Sequence, residues 1–336
     1  MQKARASRIL AFAAIAATAA LLVGAGSCRR SGEKTYRMRV TTPLASHGTV
    51  GKAMARFCEL VEAKSGGRIR TEAFYIGELG NQRELVEMVH DGSLEMVTTL
   101  ASGTARYVPQ LALFEYPYVY KDEAHQVRVL DAMEGEVSRL LAAHNFVAVG
   151  GQGMGFRHML NKTRPIVQPG DLKGLKMRGP NPIYVGMFKA LGANATTTDW
   201  SEVYSALQTG VIDGLEASPD MLLSMRFNEQ AKFLSKTSHI AACVYYMFRK
   251  DWLEALPADL QEVVKECARE AAAWQNALDL EVQAEALKTL EAEGVKINPV
   301  ADVEDFKKQL AKWKAEYVES QGPAWRDLYT RINAVE

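Results

Sequence analysis

The sequence lacks an excess of charge of either sign. Its 336 residues include 40 basic and 40 acidic side chains, and no five charges of one sign follow one another. Because nucleic-acid binding relies on clustered basic residues that neutralise phosphates, we expect no nucleic-acid partner. Hydrophobic residues make up 48% of the chain and charged residues 24%, which is typical of globular proteins and excludes a disordered or fibrous chain.

The sequence is also poor in residues arranged for catalysis. None of the six histidines lies at metal-ligand spacing from another histidine or a cysteine, and the phosphate-loop, GxSxG and HExxH motifs are missing. Gly151 and Gly153 resemble part of a dinucleotide-binding loop, but Phe156 occupies the place of its last glycine. We therefore expect no metal, no cofactor and no enzymatic activity.

Cysteine is scarce, with four residues in the whole chain. Cys58, Cys243 and Cys267 are odd in number and show no CxxC spacing, so we expect buried free thiols rather than disulfides or a zinc site. Residues 25–28 are similar to the lipobox of bacterial lipoproteins. Cys28 is therefore predicted either to carry a lipid as the mature N-terminus or to remain unmodified after cleavage.

Residues 1–27 have the order of a secretory signal peptide. Three basic residues precede the uncharged, alanine-rich segment 9–26, which ends in small residues. A transmembrane anchor is the alternative, because about 20 apolar residues can span a bilayer. Removal of the signal peptide leaves 37 basic against 40 acidic residues, a formal charge of −3.

Beyond residue 35, predicted strands and helices alternate. Strands are predicted at residues 37–41, 69–75, 94–100, 147–151, 155–161, 175–177 and 211–216. Helices are predicted at residues 49–64, 81–91, 123–143, 182–191, 199–209, 305–318 and 323–332. Asp199 and Glu202 have the spacing of a capping box. The alternation indicates an α/β fold with a mostly parallel sheet covered by helices.

The longest helical pattern covers residues 257–293, with Pro257 at its start and Gly294 just beyond its end. At 1.5 Å per residue such a helix extends about 55 Å, which exceeds the diameter of one small domain. We therefore expect it to run across two domains. A surface helix with a frayed end is the alternative.

Two arginines, Arg157 and Arg178, lie on short apolar segments next to turn glycines. In the second segment, strand alternation places Arg178 on the face opposite Met177. A guanidinium at the end of such a strand can hold a carboxylate through two parallel N–H···O bonds. A solvated or salt-bridged surface group is the commoner role for a single arginine.

Several strings, taken together, are specific to one family. Residues 171–178 read DLKGLKMR and residues 200–214 read WSEVYSALQTGVIDG. Shorter matching strings lie at residues 64–69, 77–80, 91–94, 117–120 and 191–193. With these strings, residues 36–320 resemble the substrate-binding subunits of tripartite ATP-independent periplasmic (TRAP) transporters, the DctP type first named for dicarboxylates.

The resemblance implies a two-lobed, periplasmic-binding-protein-like (type II) α/β fold in which the long helix spans both lobes. The lobes would close over a small organic anion in the periplasm. The implied divisions are a signal peptide at 1–27, a linker at 28–35, lobe I at 36–154 plus about 244–283, and lobe II at 155–243 plus about 284–336.

By the same resemblance, Arg178 would clamp the ligand's carboxylate, and Arg157 would contact or support the same anion. The family commonly places a polar residue, often Asn, after the Asp-Gly-x-Glu run. Ala217 stands there in this chain, so Ser218 or Glu216 is the candidate third anchor. Further candidates for the cleft are His47, Asn81, Ser102, Thr104, Phe156, Asn181, Tyr184 and Trp200.

The implied function is capture of a small organic carboxylate and its delivery to the small and large membrane subunits of a TRAP transporter. The chain itself would meet the membrane only through a lipid on Cys28. A receptor that presents its ligand to a membrane sensor kinase is the alternative. A secreted lyase or hydrolase would require an acid/base pair that the motifs do not supply. The ligand remains open among dicarboxylates, keto acids, sugar acids and aromatic acids.

Overall fold

The computed structural model of the protein describes residues 34–336, so the predicted signal peptide and Cys28 lie outside the described residues. The strands are β1 (Tyr36–Thr41), β2 (Ile69–Phe74), β3 (Met96–Leu100), β4 (Phe146–Asn161), β5 (Lys176–Arg178), β6 (Asn194–Thr196), β7 (Gly214–Ala217), β8 (Phe233–Arg249) and β9 (Lys296–Pro299). The helices are α1 (Thr49–Lys64), α2 (Gln82–His90), α3 (Glu123–Ala142), α4 (Pro182–Ala190), α5 (Val203–Thr209), α6 (Pro219–Ser224), α7 (Lys250–Glu254), α8 (Ala258–Ala292), α9 (Val303–Ser320) and α10 (Pro323–Asn333).

The strands form a nine-stranded sheet in the order β2-β1-β3-β8-β4-β7-β5-β6, with β9 paired to β8. Pairs β1/β3, β5/β6, β5/β7 and β8/β9 are parallel. Pairs β3/β8, β4/β8 and β4/β7 are antiparallel. The α/β class is confirmed, but the prediction of a mostly parallel sheet is wrong at its centre, because the two longest strands pair antiparallel there.

Strand β4 replaces the two separate strands predicted around residues 150–155. It pairs with β8 from Phe146, opposite Arg249, to Asn161, opposite Phe233, with register shifts on the way. Gly150 has a backbone φ of +67°, a left-handed conformation that glycine adopts without a steric penalty. The glycines between the two predicted strands therefore lie at bulges within one continuous strand.

Two side chains of helix α8 fix the bulged segment of β4. Gln275 Nε2 donates to the carbonyl oxygen of Gly153 at 2.6 Å, and Asn276 Oδ1 accepts from Gly153 N at 2.8 Å. Both side chains belong to α8, which has 35 residues and contacts α1, β4 and α6. The predicted long helix is thus confirmed, and it packs against two other helices as well as a central strand of the sheet.

We expect Gly150→Ala to destabilise the protein by about 2 kcal/mol or more. A Cβ atom there would lie 2.7 Å from the carbonyl oxygen of Ala268, and the left-handed φ alone costs a residue other than glycine roughly 1–2 kcal/mol. Gly135→Ala is the matched control, because a Cβ in this helical position meets no described atom within 4 Å. It is expected to stabilise α3 by roughly 0.5–1 kcal/mol. Urea unfolding measures both changes, and a Gly150→Ala variant as stable as Gly135→Ala would contradict the expectation.

The covalent and membrane-related features of the described chain are simple. Cys58, Cys243 and Cys267 are buried free thiols, as predicted. Burial raises the pKa of the Cys58 thiol to about 12, so this sulfur stays protonated at neutral pH. Over residues 34–336, no helix has both the length and the apolar character needed to cross a bilayer.

Candidate ligand-binding site

A cavity of about 810 Å³ lies at the carboxyl ends of strands β3 and β5. One wall is the start of α2 together with the chain that follows β3. A second wall is formed by the end of β5, the first turn of α4 and the chain after β6. Helices α9 and α10 supply the third. In α/β proteins, ligands commonly bind at this end of the strands.

Arg178, the last residue of β5, lines this cavity and is only 4% exposed. Its Nε donates to the carbonyl oxygen of Thr198 at 2.9 Å, and its guanidinium carbon lies 5.4 Å from the centroid of the Trp200 ring. Within residues 34–336, the two terminal guanidinium nitrogens make no hydrogen bond. The donors that could grip a carboxylate side by side are therefore unoccupied.

The charge of Arg178 is incompletely compensated. Burial lowers the pKa of Arg178 to about 10, with a partly opposing effect from the nearby Glu216 carboxylate and a further lowering by Arg157. The guanidinium remains protonated at neutral pH, but its burial costs free energy that a bound anion would offset. The cavity end at Arg178 therefore favours a negatively charged group.

Arg157 is also buried, but its donors are occupied. Its Nε and Nη2 bind the carboxylate of Glu216, with Nη2 at 2.9 Å from Oε1, and Nη2 also donates to the Glu216 carbonyl oxygen at 2.8 Å. Burial alone would lower the pKa of Arg157, but the carboxylate of Glu216 raises it. Arg157 and Glu216 are not among the described residues that line the cavity. Their charges nevertheless act on the pKa of Arg178.

Three further predicted residues line the cavity with Arg178: Ser102, Asn181 and Trp200. Asn181 caps helix α4, because its Oδ1 accepts from Ile183 N at 3.0 Å. Ser102 Oγ donates to Glu115 Oε2 at 2.9 Å. The structure thus brings together candidates from two distant parts of the sequence.

The remaining predicted site residues do not line the cavity within the described chain. Asn81 forms a capping box with Glu84 at the start of α2, and Thr104 donates to the carbonyl oxygen of Ala101 at 2.9 Å. His47 is exposed, and its Nε2 lies 3.0 Å from the carbonyl oxygen of Ser224. The others are Phe156, which packs against the larger hydrophobic core, Ser218, which is buried at the start of α6, and Tyr184, which is buried on α4.

Glu115 is a buried carboxylate that sequence reasoning missed. It accepts from the backbone nitrogen and hydroxyl of Ser102, and from the hydroxyl of Tyr184 at 3.0 Å. Complete burial raises the pKa of Glu115, and these three donors act against that rise. Glu115 therefore links the wall that follows β3 to helix α4 and sets the position of Ser102.

Asp199 was predicted to cap a helix, and that prediction is wrong. A 3₁₀ turn, Trp200–Glu202, precedes α5, and the Asp199 side chain makes no capping hydrogen bond. Its carboxylate instead lines the cavity, where it raises the pKa of Arg178 slightly against the lowering by burial. The spacing of two acidic residues matched the motif, but the chain after β6 forms a 3₁₀ turn in which Asp199 makes no capping hydrogen bond.

Further lining residues had no motif of their own. Gln82 follows the capping residue of α2, so a helix start was the only sequence signal near it. Tyr317 and Trp325 belong to the two C-terminal helices, where no motif marks them as site residues. Among residues 34–336, no group of three or more histidine, cysteine or acidic side chains is placed to hold a metal ion.

Comparison with known proteins gives consistent matches over almost the whole chain. The sequence model of bacterial extracellular solute-binding protein family 7 (DctP) matches residues 41–321. A solute-binding protein from Verminephrobacter eiseniae is 33% identical over 294 residues, which cover 87% of each chain.

Solved structures agree with the sequence matches. A TRAP periplasmic solute-binding protein from Roseobacter denitrificans, with bound β-D-glucuronate, has a TM-score of 0.85 at 30% identity and covers 89% of this chain and 100% of its own. The sugar acid binding protein of Advenella mimigardefordensis, in complex with galactonate, has a TM-score of 0.86 at 25% identity and covers 90% and 99%. These matches confirm the two-lobed α/β fold. The protein therefore belongs to bacterial extracellular solute-binding protein family 7, as a TRAP-type solute-binding protein and not an enzyme.

Proposed function

We propose that this protein binds an acid sugar with a single carboxylate and that Arg178 holds the carboxylate. The observation that carries the proposal is a buried guanidinium whose two terminal nitrogens have no partner in the described chain and which lines a cavity. A carboxylate fits these two donors in a planar, bidentate arrangement. Its charge also offsets the cost of burying the arginine.

The other polar groups around Arg178 suit hydroxyl groups better than a second carboxylate. Asp199 and Glu202 line the same cavity, and their carboxylates would repel another anion. They can instead accept hydrogen bonds from sugar hydroxyls, while Asn181 keeps its amide nitrogen free to donate because its Oδ1 caps α4. The Trp200 ring adds an apolar face for the carbons of a sugar.

The remaining cations at the cavity are already paired. Arg83 Nε lies 3.1 Å from Glu87 Oε1, and Arg106 binds the same oxygen. Both side chains are more than half exposed, so solvent screens their charges. This arrangement favours a ligand with one carboxylate. The two solved relatives carry glucuronate and galactonate, which are acids of this kind.

Arg157 and Glu216 are proposed to support the clamp without touching the ligand. The Glu216 carboxylate attracts Arg178, and Arg157 holds that carboxylate in place. Ser102 follows β3 and Arg178 ends β5, so a ligand that bonds to both would hold these two walls together. We propose that the two lobes with the predicted boundaries close on the ligand. The bound acid would then be delivered to the membrane subunits of the transporter. Residues 1–27 would direct export, and Cys28 would anchor the protein.

A thermal-shift screen followed by isothermal titration calorimetry tests the ligand class. D-Glucuronate, D-galacturonate and D-galactonate are expected to raise the melting temperature, because binding to the folded state alone stabilises it. D-Glucose lacks the carboxylate and D-glucarate carries a second one, so both are matched controls expected to give smaller shifts. A larger shift with succinate than with every acid sugar would refute the proposal.

A further inference from the structure

The cavity that contains Arg178 extends to an aromatic wall formed by the two C-terminal helices. Tyr317 of α9 and Trp325 of α10 both line it, with ring centroids 5.7 Å apart at an angle of 71°. Tyr317 also packs against Trp313, at 5.4 Å, and Tyr116, at 6.3 Å. This packing restricts the movement of the Tyr317 ring, so the aromatic wall is rigid.

Helix α4 packs against α9, the helix that carries Tyr317. The first turn of α4 lines the cavity, and Asn181 caps this helix. One turn further along, a Cβ atom at Gly186 would lie 2.8 Å from Trp313, so α4 packs directly against α9. Arg178 packs against Trp200, whereas Tyr317 packs against Trp313, Tyr116 and Trp325, so the clamp and the aromatic wall have different neighbours.

The volume of the cavity exceeds what one small acid sugar needs. About 810 Å³ lies in the upper part of the range of roughly 300–1,000 Å³ that holds drug-sized ligands. Two of the walls are already joined, since the Tyr184 hydroxyl of α4 donates at 3.0 Å to Glu115 in the chain that follows β3. The cavity therefore has this volume although a hydrogen bond already joins two of its walls.

The part of the cavity near the aromatic wall is suited to an uncharged group. Pro109 and Ala112 line it together with Tyr317 and Trp325, and Gln321 adds an amide that can donate and accept hydrogen bonds. Aromatic faces with a few polar side chains are a common setting for ring-shaped ligands.

We propose that the part of the cavity beside Tyr317 and Trp325 is a second subsite. It binds a neutral sugar ring that is linked to the acid sugar held by Arg178. The inference rests on the proposed function and makes it more specific: the ligand class is a glycoside of an acid sugar. Tyr317 and Trp325 would pack against the apolar face of the added ring, while Gln321 would meet its hydroxyls.

Isothermal titration calorimetry with two probes tests the subsite, on the protein without residues 1–27. The probes are D-glucuronate and cellobiouronate, in which glucuronate is joined through its anomeric carbon to glucose. We expect cellobiouronate to bind about tenfold more tightly or better, since tenfold corresponds to about 1.4 kcal/mol. In Tyr317→Ala and Gln321→Ala, the ratio of the two affinities is expected to fall toward one.

Tyr329→Ala is the matched control. Tyr329 lies on α10 and packs against Tyr116 at 5.7 Å, but it is outside the cavity lining. This variant should keep the preference for cellobiouronate, which separates loss of the subsite from general loosening of the C-terminal helices. Equal affinities of the unaltered protein for both probes, or a preference that survives Tyr317→Ala and Gln321→Ala, would overturn the inference while leaving the proposed function intact. Failure of both probes and of every other acid sugar would instead reject the proposed function.

Discussion

Arg178→Ala is expected to weaken acid-sugar binding by between about 30-fold and several thousandfold. Truncating one partner of a buried, hydrogen-bonded charge pair costs about 2–5 kcal/mol, and each factor of ten corresponds to about 1.4 kcal/mol. The effect should be large because Arg178 is 4% exposed and the other cavity arginines, Arg83 and Arg106, are paired with Glu87. Titration calorimetry gives the affinity, and thermal shift gives the loss of ligand-induced stabilisation.

Two further variants show whether geometry or charge alone is responsible. Arg178→Lys keeps the positive charge but loses the planar pair of donors, so we expect an affinity between those of Arg178→Ala and the unaltered protein. Arg226→Ala is the control, because Arg226 is exposed and paired with Glu229. If Arg178→Ala kept the normal affinity and melting-temperature rise, Arg178 would not be the clamp.

The sequence predicted individual helices well because their ends carry local signals. Helix α1 has the predicted bounds and ends just before two glycines with positive φ, and the helix predicted from Asn81 is α2, which Asn81 caps. Two strands were predicted in place of β4, on either side of glycines that resemble part of a dinucleotide-binding loop. The partner that keeps them in the sheet, β8, lies about 90 residues further along the chain, and no local pattern shows which two strands pair.

The site was predictable only where it lies next to a strand end or a motif. Arg178 ends β5, and Ser102 and Asn181 follow a strand end or begin a helix, so position suggested each of them. Tyr317 and Trp325 reach the same cavity from more than 130 residues away, through packing of helices that local patterns cannot order in space. The role of Arg157 also depended on the fold, because only its pairing with Glu216 shows that its donors are occupied.

Glu216→Gln is expected to lower the free energy of unfolding by about 3–5 kcal/mol. Removing one partner of a buried ion pair leaves the other charge without compensation, and here the Glu216 side chain is fully buried. Arg157 would keep its bond to the Glu216 carbonyl oxygen but lose the carboxylate that raises its pKa. Arg178 would lose the attraction of the same carboxylate, so both buried guanidinium groups would become less favourable.

Urea unfolding of a set of variants tests this role of the pair. Glu285→Gln is the matched control, because its partner Lys288 is 74% exposed, Glu285 itself is 67% exposed, and exposed pairs contribute only about 0–1 kcal/mol. The double variant Arg157→Met, Glu216→Leu should recover much of the stability lost in Glu216→Gln, since it removes both buried charges together. A Glu216→Gln variant no less stable than Glu285→Gln would show that Arg157 does not depend on this carboxylate. The support proposed for Arg178 would then have to come from elsewhere in the fold.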